Sequence, residues 1–290
     1  MRHRLSILLG VTLALVTEPL AAATVTVAPG GLQAALASAA PGDTLVLATG
    51  VHPGPLTVRI PVTLTGEPGA VIDGNGKDST LTVLAPNVTV RNLEIRNSGL
   101  SLIDQNSGIF LGKEARGAVV EHNRLRDNLI GVYIWGAADS LIRRNDIVGR
   151  TDLRVSERGN GIQLWNAPGT RVLDNSVREG RDGLFTTSSR KNVFSGNRFE
   201  RVRFAIHYMY TNDSELSVRA SAAISRVVAT TQRLRVASRS SLPATIRSVF
   251  IRRPPGAGNG RTSRQGWAGR SRCPRWRCWR RRCWRPDRRR

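Results

Sequence analysis

The 290-residue chain carries 44 Lys and Arg against 21 Asp and Glu, a formal charge of +23, but the excess sits at one end. Residues 1–216 hold 23 basic and 20 acidic residues; residues 217–290 hold 21 Arg, no Lys, one acid (Asp287) and all three cysteines, Cys273, Cys278 and Cys283. The body is therefore nearly neutral and cysteine-free, which excludes disulfide stabilisation there and removes the case for a nucleic-acid-binding surface spread over the whole chain.

The chain opens with Arg2 and Arg4, an apolar run Leu5–Val16 and the small-residue site Ala21-Ala22-Ala23. This is the pattern of a secretory signal peptide over 1–23, cleaved after Ala23. No other run approaches the roughly 20 apolar residues that span a bilayer. Thr24–Val27 reads as a short strand, and Gly31–Ala40 as a short amphipathic helix, with Leu32, Ala35 and Leu36 on one face, stopped by Pro41-Gly42-Asp43. A helix there suits the covering of a solenoid's first coil, whose apolar end and strand edges need protection.

From Leu56 onward, short runs of Val, Ile, Leu and Thr alternate with turns carrying Pro-Gly, Gly-Asn-Gly and Ala-Pro-Asn. Gly161–Phe204 then resolves into two 22-residue repeats, with openings at Gly161 and Gly183 and an Asn fourteen residues later, Asn175 and Asn197. Gly108, Gly131 and Ala205 open further coils, and Asn123 and Asn145 match; Asn92 resembles an earlier member, one residue out of phase. A fixed period of this length marks a repeat solenoid, and Gly/Asn corners between short strands predict a right-handed parallel β-helix over 24–217. The Asn positions read as structural ladder elements at inward corners, where Asn tolerates the left-handed conformation and bonds to the Asn of the next coil. Asn to next opening takes eight residues in three coils but sixteen after Asn92 and Asn145. Two loops, about 99–107 and 150–158, should therefore leave one corner, two coils apart.

Strand alternation turns Ile109, Val132, Ile162, Leu184 and Ile206 inward. It turns Phe110, Tyr133, Gln163, Phe185 and His207 outward, with Gly112, Trp135, Trp165, Thr187 and Met209 two residues beyond each. Phe110, Tyr133, Trp135, Trp165 and Phe185 thus form a candidate partner or ligand surface, open or covered by a loop or further chain. His207 and Met209 end it on one face; imidazole and thioether suit copper, thioether Cu(I) above all. Against this stands carboxylate catalysis on polysaccharides, which needs two flanking acids. The outward columns hold none, and Asp127, Asp146, Asp174, Asp182 and Glu200 read as solvated turn charges.

Advancing the period from Ala205 places the next Asn at 219, where Arg219 stands. Residues 218–290 read as an out-of-frame, disordered Arg-rich tail. Cys273, Cys278 and Cys283 among arginines make a poor cation site, and Arg–Trp contacts with nucleic acid would be adventitious in an exported protein.

The opening GGLQAALASAAPGDTLVL, the stretch VIDGNGKDSTLTVLAPNVTVRNLEIRNSG, the coil GNGIQLWNAPG and the segment FAIHYMYTNDSE resemble the NosD family over about residues 1–217. The resemblance implies a periplasmic, non-catalytic β-helix that helps assemble the copper–sulfur centre of nitrous oxide reductase. The implied partners are an ABC transporter permease and ATPase, a lipoprotein copper chaperone and the reductase itself, with membrane association only through them. It implies transient copper and no organic cofactor. Family members continue with further coils where this chain loses the pattern. A polysaccharide-binding or polysaccharide-cleaving β-helix is the alternative.

Overall fold

A computed structural model describes residues 21–217 and three further strands, Val227–Thr230, Leu234–Val236 and Val249–Arg252. Residues 1–20, where a signal peptide is expected, and the three cysteines lie outside the described residues. Short strands wind into three parallel sheets of ten, nine and seven strands among the described residues, each strand pairing with its counterparts one coil before and after. The architecture is the expected parallel β-solenoid. One short helix, Leu32–Ser38, lies at the N-terminal end and buries Leu32 and Leu36.

The interior follows from alternation. Leu81, Ile109, Val132, Ile162, Leu184 and Ile206 form one continuous buried row. Val90, Val120, Ile142, Val172, Phe194 and Leu216 form another in the ten-stranded sheet. The coil openings are glycine for a steric reason. A Cβ on Gly161 would run into Val177 Cγ1, and one on Gly183 into the Phe199 ring, so neither backbone could approach the coil interior as closely.

The Asn residues build a fully buried ladder. Backbone N–H groups of Asn123, Asn145 and Asn175 donate to Oδ1 of Asn145, Asn175 and Asn197, each at 3.0 Å. The same acceptors take the preceding side-chain amides at 2.9–3.1 Å. Each Nδ2 also reaches a backbone carbonyl, such as Val120 for Asn145 and Ile142 for Asn175, both at 2.9 Å. One expectation is corrected here. The left-handed residue at this corner is not the ladder Asn but the residue before it: His122, Arg144, Asp174 and Gly196 have φ of 56°, 53°, 54° and 70°. That residue turns the chain, and the Asn that follows is thereby aimed inward. Asn92 takes the turning position with φ 57°, so Leu93 occupies the ladder site and its N–H donates to Asn123 Oδ1 at 3.2 Å, as the phase offset anticipated. Other corners are turned by Asn87, Asn166, Glu179 and Lys191, also left-handed.

Three strands fall in the segment expected to stand apart from the solenoid. Val227–Thr230 pairs in parallel with Phe204–Met209, Val249–Arg252 with Val227–Thr230, and Leu234–Val236 with Ser214–Ser217. Parallel pairing thus continues past residue 217 in two sheets, without the Gly–Asn signals. The remainder of 218–290 lies outside the described residues.

Candidate functional site

The nine-stranded sheet carries the outward columns in the predicted register. Phe110, Tyr133, Gln163, Phe185 and His207 align in one, and Trp135, Trp165, Thr187 and Met209 in the other. Because parallel strands stack like residues about 4.8 Å apart, flat side chains pile up. Trp135 and Trp165 lie at 5.5 Å between ring centroids and 10° between planes, and Phe110 continues the pile at 6.4 Å and 26°. Tyr133 meets Phe110 edge-on at 5.4 Å, the other favoured aromatic geometry.

Placement on the outer face does not make all of these residues accessible. Tyr133 is only 5% exposed, so of the two readings of this face, open or covered, the covered one applies at this residue. The two inserted loops explain why. They emerge at one corner, two coils apart as the spacing predicts, and Gln163 Nε2 donates to Gln105 Oε1 at 3.1 Å, joining flanking coils across the coil that holds Tyr133. Asn160 Nδ2 donates to Gln163 Oε1 at 2.7 Å, and Arg158 holds the second loop through the Leu153 carbonyl at 2.8 Å. Burial pushes the Tyr133 phenol up from its ordinary pKa, against the opposing hydrogen bond with Gln163. Phe110, Trp135 and Phe185 are half-buried, and Trp165 stays open at 39%. The predicted surface is therefore part covered and part exposed.

The strand Phe204–Met209 ends the columns with His207 and Met209, both half-buried. The sequence reading missed what holds His207. Asp182, at the start of the neighbouring strand, is no solvated turn charge: its side chain is 2% exposed. His207 Nδ1 lies 3.1 Å from Asp182 Oδ2, while Arg203 Nε and Nη2 donate to Oδ1 and Oδ2 at 2.9 and 2.7 Å. Burial acts to raise the carboxyl's pKa, but the hydrogen bonds from His207 and Arg203 outweigh it and hold the group below its ordinary value. Asp182 is thus ionised at neutral pH, and an ionised carboxylate only accepts. Nδ1 must then carry a proton, which makes Nε2 the nitrogen that holds the lone pair whenever the ring has one. Phe185 and Phe204 pack edge-on against the imidazole at 5.0 and 5.5 Å, and the Arg203 guanidinium lies 4.6 Å over the Phe204 ring.

An imidazole oriented through a carboxylate is the usual second contact of a metal-bound histidine, and it also serves acid–base work. No group of three or more His, Cys, Asp or Glu side chains placed to hold a metal occurs among the described residues. The outer columns from Phe110 to Met209 present no carboxylate pair. The only signals for the Asp182–Arg203 contact in the sequence are an acid directly before a coil-opening glycine and an Arg one 21-residue step later.

Comparison with known proteins places this geometry in context. The model of the family described as "Right handed beta helix region" matches residues 69–227. Over 137 residues the chain is 38% identical to the "Probable ABC transporter binding protein NosD" of Stutzerimonas stutzeri, a match covering 47% of this chain and 31% of the relative. Identity to the protein of the same name from Pseudomonas aeruginosa is 37% over 137 residues, 47% of this chain and 32% of the relative. The chain therefore matches about a third of the length of these curated relatives. Among solved structures, an alginate lyase from Paenibacillus aligns with a TM-score of 0.49 at 17% identity, over 79% of this chain and 98% of that one.

Proposed function

We propose that this chain, which belongs to the right-handed β-helix family, is a NosD-like, non-catalytic periplasmic scaffold. In this reading it receives copper and passes it on during assembly of the copper–sulfur centre of nitrous oxide reductase. The similarity to two proteins named for ABC transporter binding supports a transporter-associated role. A permease and ATPase pair, a lipoprotein copper chaperone and the reductase are the partners proposed.

The observation that carries the reading is the oriented His207 beside Met209 on one outer strand face. Copper here is cargo. A neutral imidazole Nε2 and a thioether form a soft donor pair suited to Cu(I). Asp182 and Arg203 fix the tautomer, so the lone pair is presented without rearrangement. Two donors on a rigid wall, with no closed ligand cage among the described residues, suit transient holding better than permanent storage. The test is to delete the gene in a denitrifying host and purify the reductase. Loss of the catalytic copper centre, restored by the parent gene but not by an H207A/M209L form, is expected; normal copper content in the deletion strain would refute the role.

A second reading has one specific observation behind it: Trp165 is stacked and partly open, as a sugar-stacking residue would be. A polysaccharide-binding role predicts retention on a glycan affinity gel that is lost in W165A. The described outer columns, from Phe110 to Met209, hold no carboxylate pair, which argues against cleavage on that face.

A further inference from the structure

The outer ladder has one rung missing. Trp165 is covered on one face by Trp135 at 5.5 Å, but the residue next to it on the other side is Thr187, and beyond Thr187 stands Met209. At the spacing of parallel coils, the Trp165 and Met209 backbones lie about 10 Å apart. A small hydroxyl side chain fills that interval where every preceding position from Trp135 onward carries a ring. One indole face is thereby left without a neighbouring ring, in the column that ends in the Met209 thioether and beside the column that ends in His207, whose Nδ1 meets Asp182.

We infer that this gap is a slot for a soft monovalent cation, Cu(I) or its analogue Ag(I), bound by Met209 Sδ and His207 Nε2 and faced by the indole of Trp165. The inference rests on the His207–Met209 reading above and adds Trp165 and Thr187 to it. Two features favour such an ion. The thioether is a soft donor, and the indole face is the best of the aromatic faces for a cation. Thr187 acts by being small.

The experiment titrates the full chain with Ag(I), following tryptophan emission, and with Cu(I) in competition with a chromophoric chelator. In the parent, emission should fall as the ion binds. W165F keeps a ring and should bind within about twofold of the parent, but with most of the emission change gone. W165L removes the ring face and should weaken binding about fivefold. T187W supplies the missing rung while leaving both donors in place, and should weaken binding at least tenfold; a melting curve as cooperative as the parent's shows that it folds. H207A should weaken binding more than tenfold. Parent-like affinity in W165L and T187W, alongside loss in H207A, would overturn the slot and leave the His207–Met209 pair standing. No binding by the parent, or parent-like binding in H207A, would overturn both.

Discussion

The solenoid carries two ladders built by the same repetition, one on each side of its wall. Inside, Asn123, Asn145, Asn175 and Asn197 stack with their polar atoms paired to the next coil or to backbone carbonyls. Outside, Phe110, Trp135 and Trp165 stack as rings, half-covered at one end and open at the other. Buried amides without partners would each cost about 1–3 kcal/mol, so the inner ladder keeps Asn from 123 to 197 and ends at Leu93, which needs only its backbone N–H to join. A ring on the outer face loses only partner contacts when its neighbour changes, so that ladder can break off at Thr187 and end in His207 and Met209. Periodicity makes structure where the environment is dry, and leaves room for a site where it is wet.

The largest expected effect tests the inner side. Asn145→Leu would orphan the Asn123 N–H and the Val120 carbonyl together, and should cost about 4 kcal/mol in urea denaturation. Next, Gly161→Val would drive a side chain into Val177, costing about 3 kcal/mol by the same measurement. Asp182→Asn at the site should cost about 2 kcal/mol at neutral pH, with a sign that pH reveals. Because the folded carboxyl is held below its ordinary value near 3.9, its stabilisation is complete above about pH 4 and declines as the pH falls through the lower folded value. The gap between parent and Asp182→Asn melting temperatures should therefore narrow on acidification below about pH 4. Smallest of all, Trp165→Ala should cost about 1 kcal/mol, the scale of one exposed ring stack. A cost equal to that of Asn145→Leu would erase the contrast between the ladders.

The fold was legible because both its signals are periodic. Gly161 and Gly183, and Asn175 and Asn197, recur at 22 residues for steric and hydrogen-bonding reasons that repeat from one of these coils to the next. The outward columns followed from strand alternation alone. What alternation cannot express is cover. Tyr133 points outward yet is buried, because Gln105 and Gln163, 58 residues apart, meet over its coil. Asp182 was hidden for a related reason. Its partners His207 and Arg203 belong to the next coil, and nothing local separates a carboxylate that pairs across coils from a hydrated one such as Asp174. The strands after residue 217 were also unread, since parallel pairing asks only for short extended runs such as Val227–Thr230 and not for Gly or Asn.

The left-handed turning residues carry a consequence for how this wall can be altered. Backbone there costs an ordinary L-residue about 1 kcal/mol, and Asn or Gly less. Arg144 and Lys191 sit at such corners with φ of 53° and 56°, on side chains that take no part in the outer columns. Arg144→Asn and Lys191→Gly should each raise the melting temperature slightly and leave the Trp165–Met209 face unchanged. The corners are thus a reserve of thermostability, independent of the site, from which a hardened version of the scaffold can be made to carry mutations that its working face would otherwise not survive.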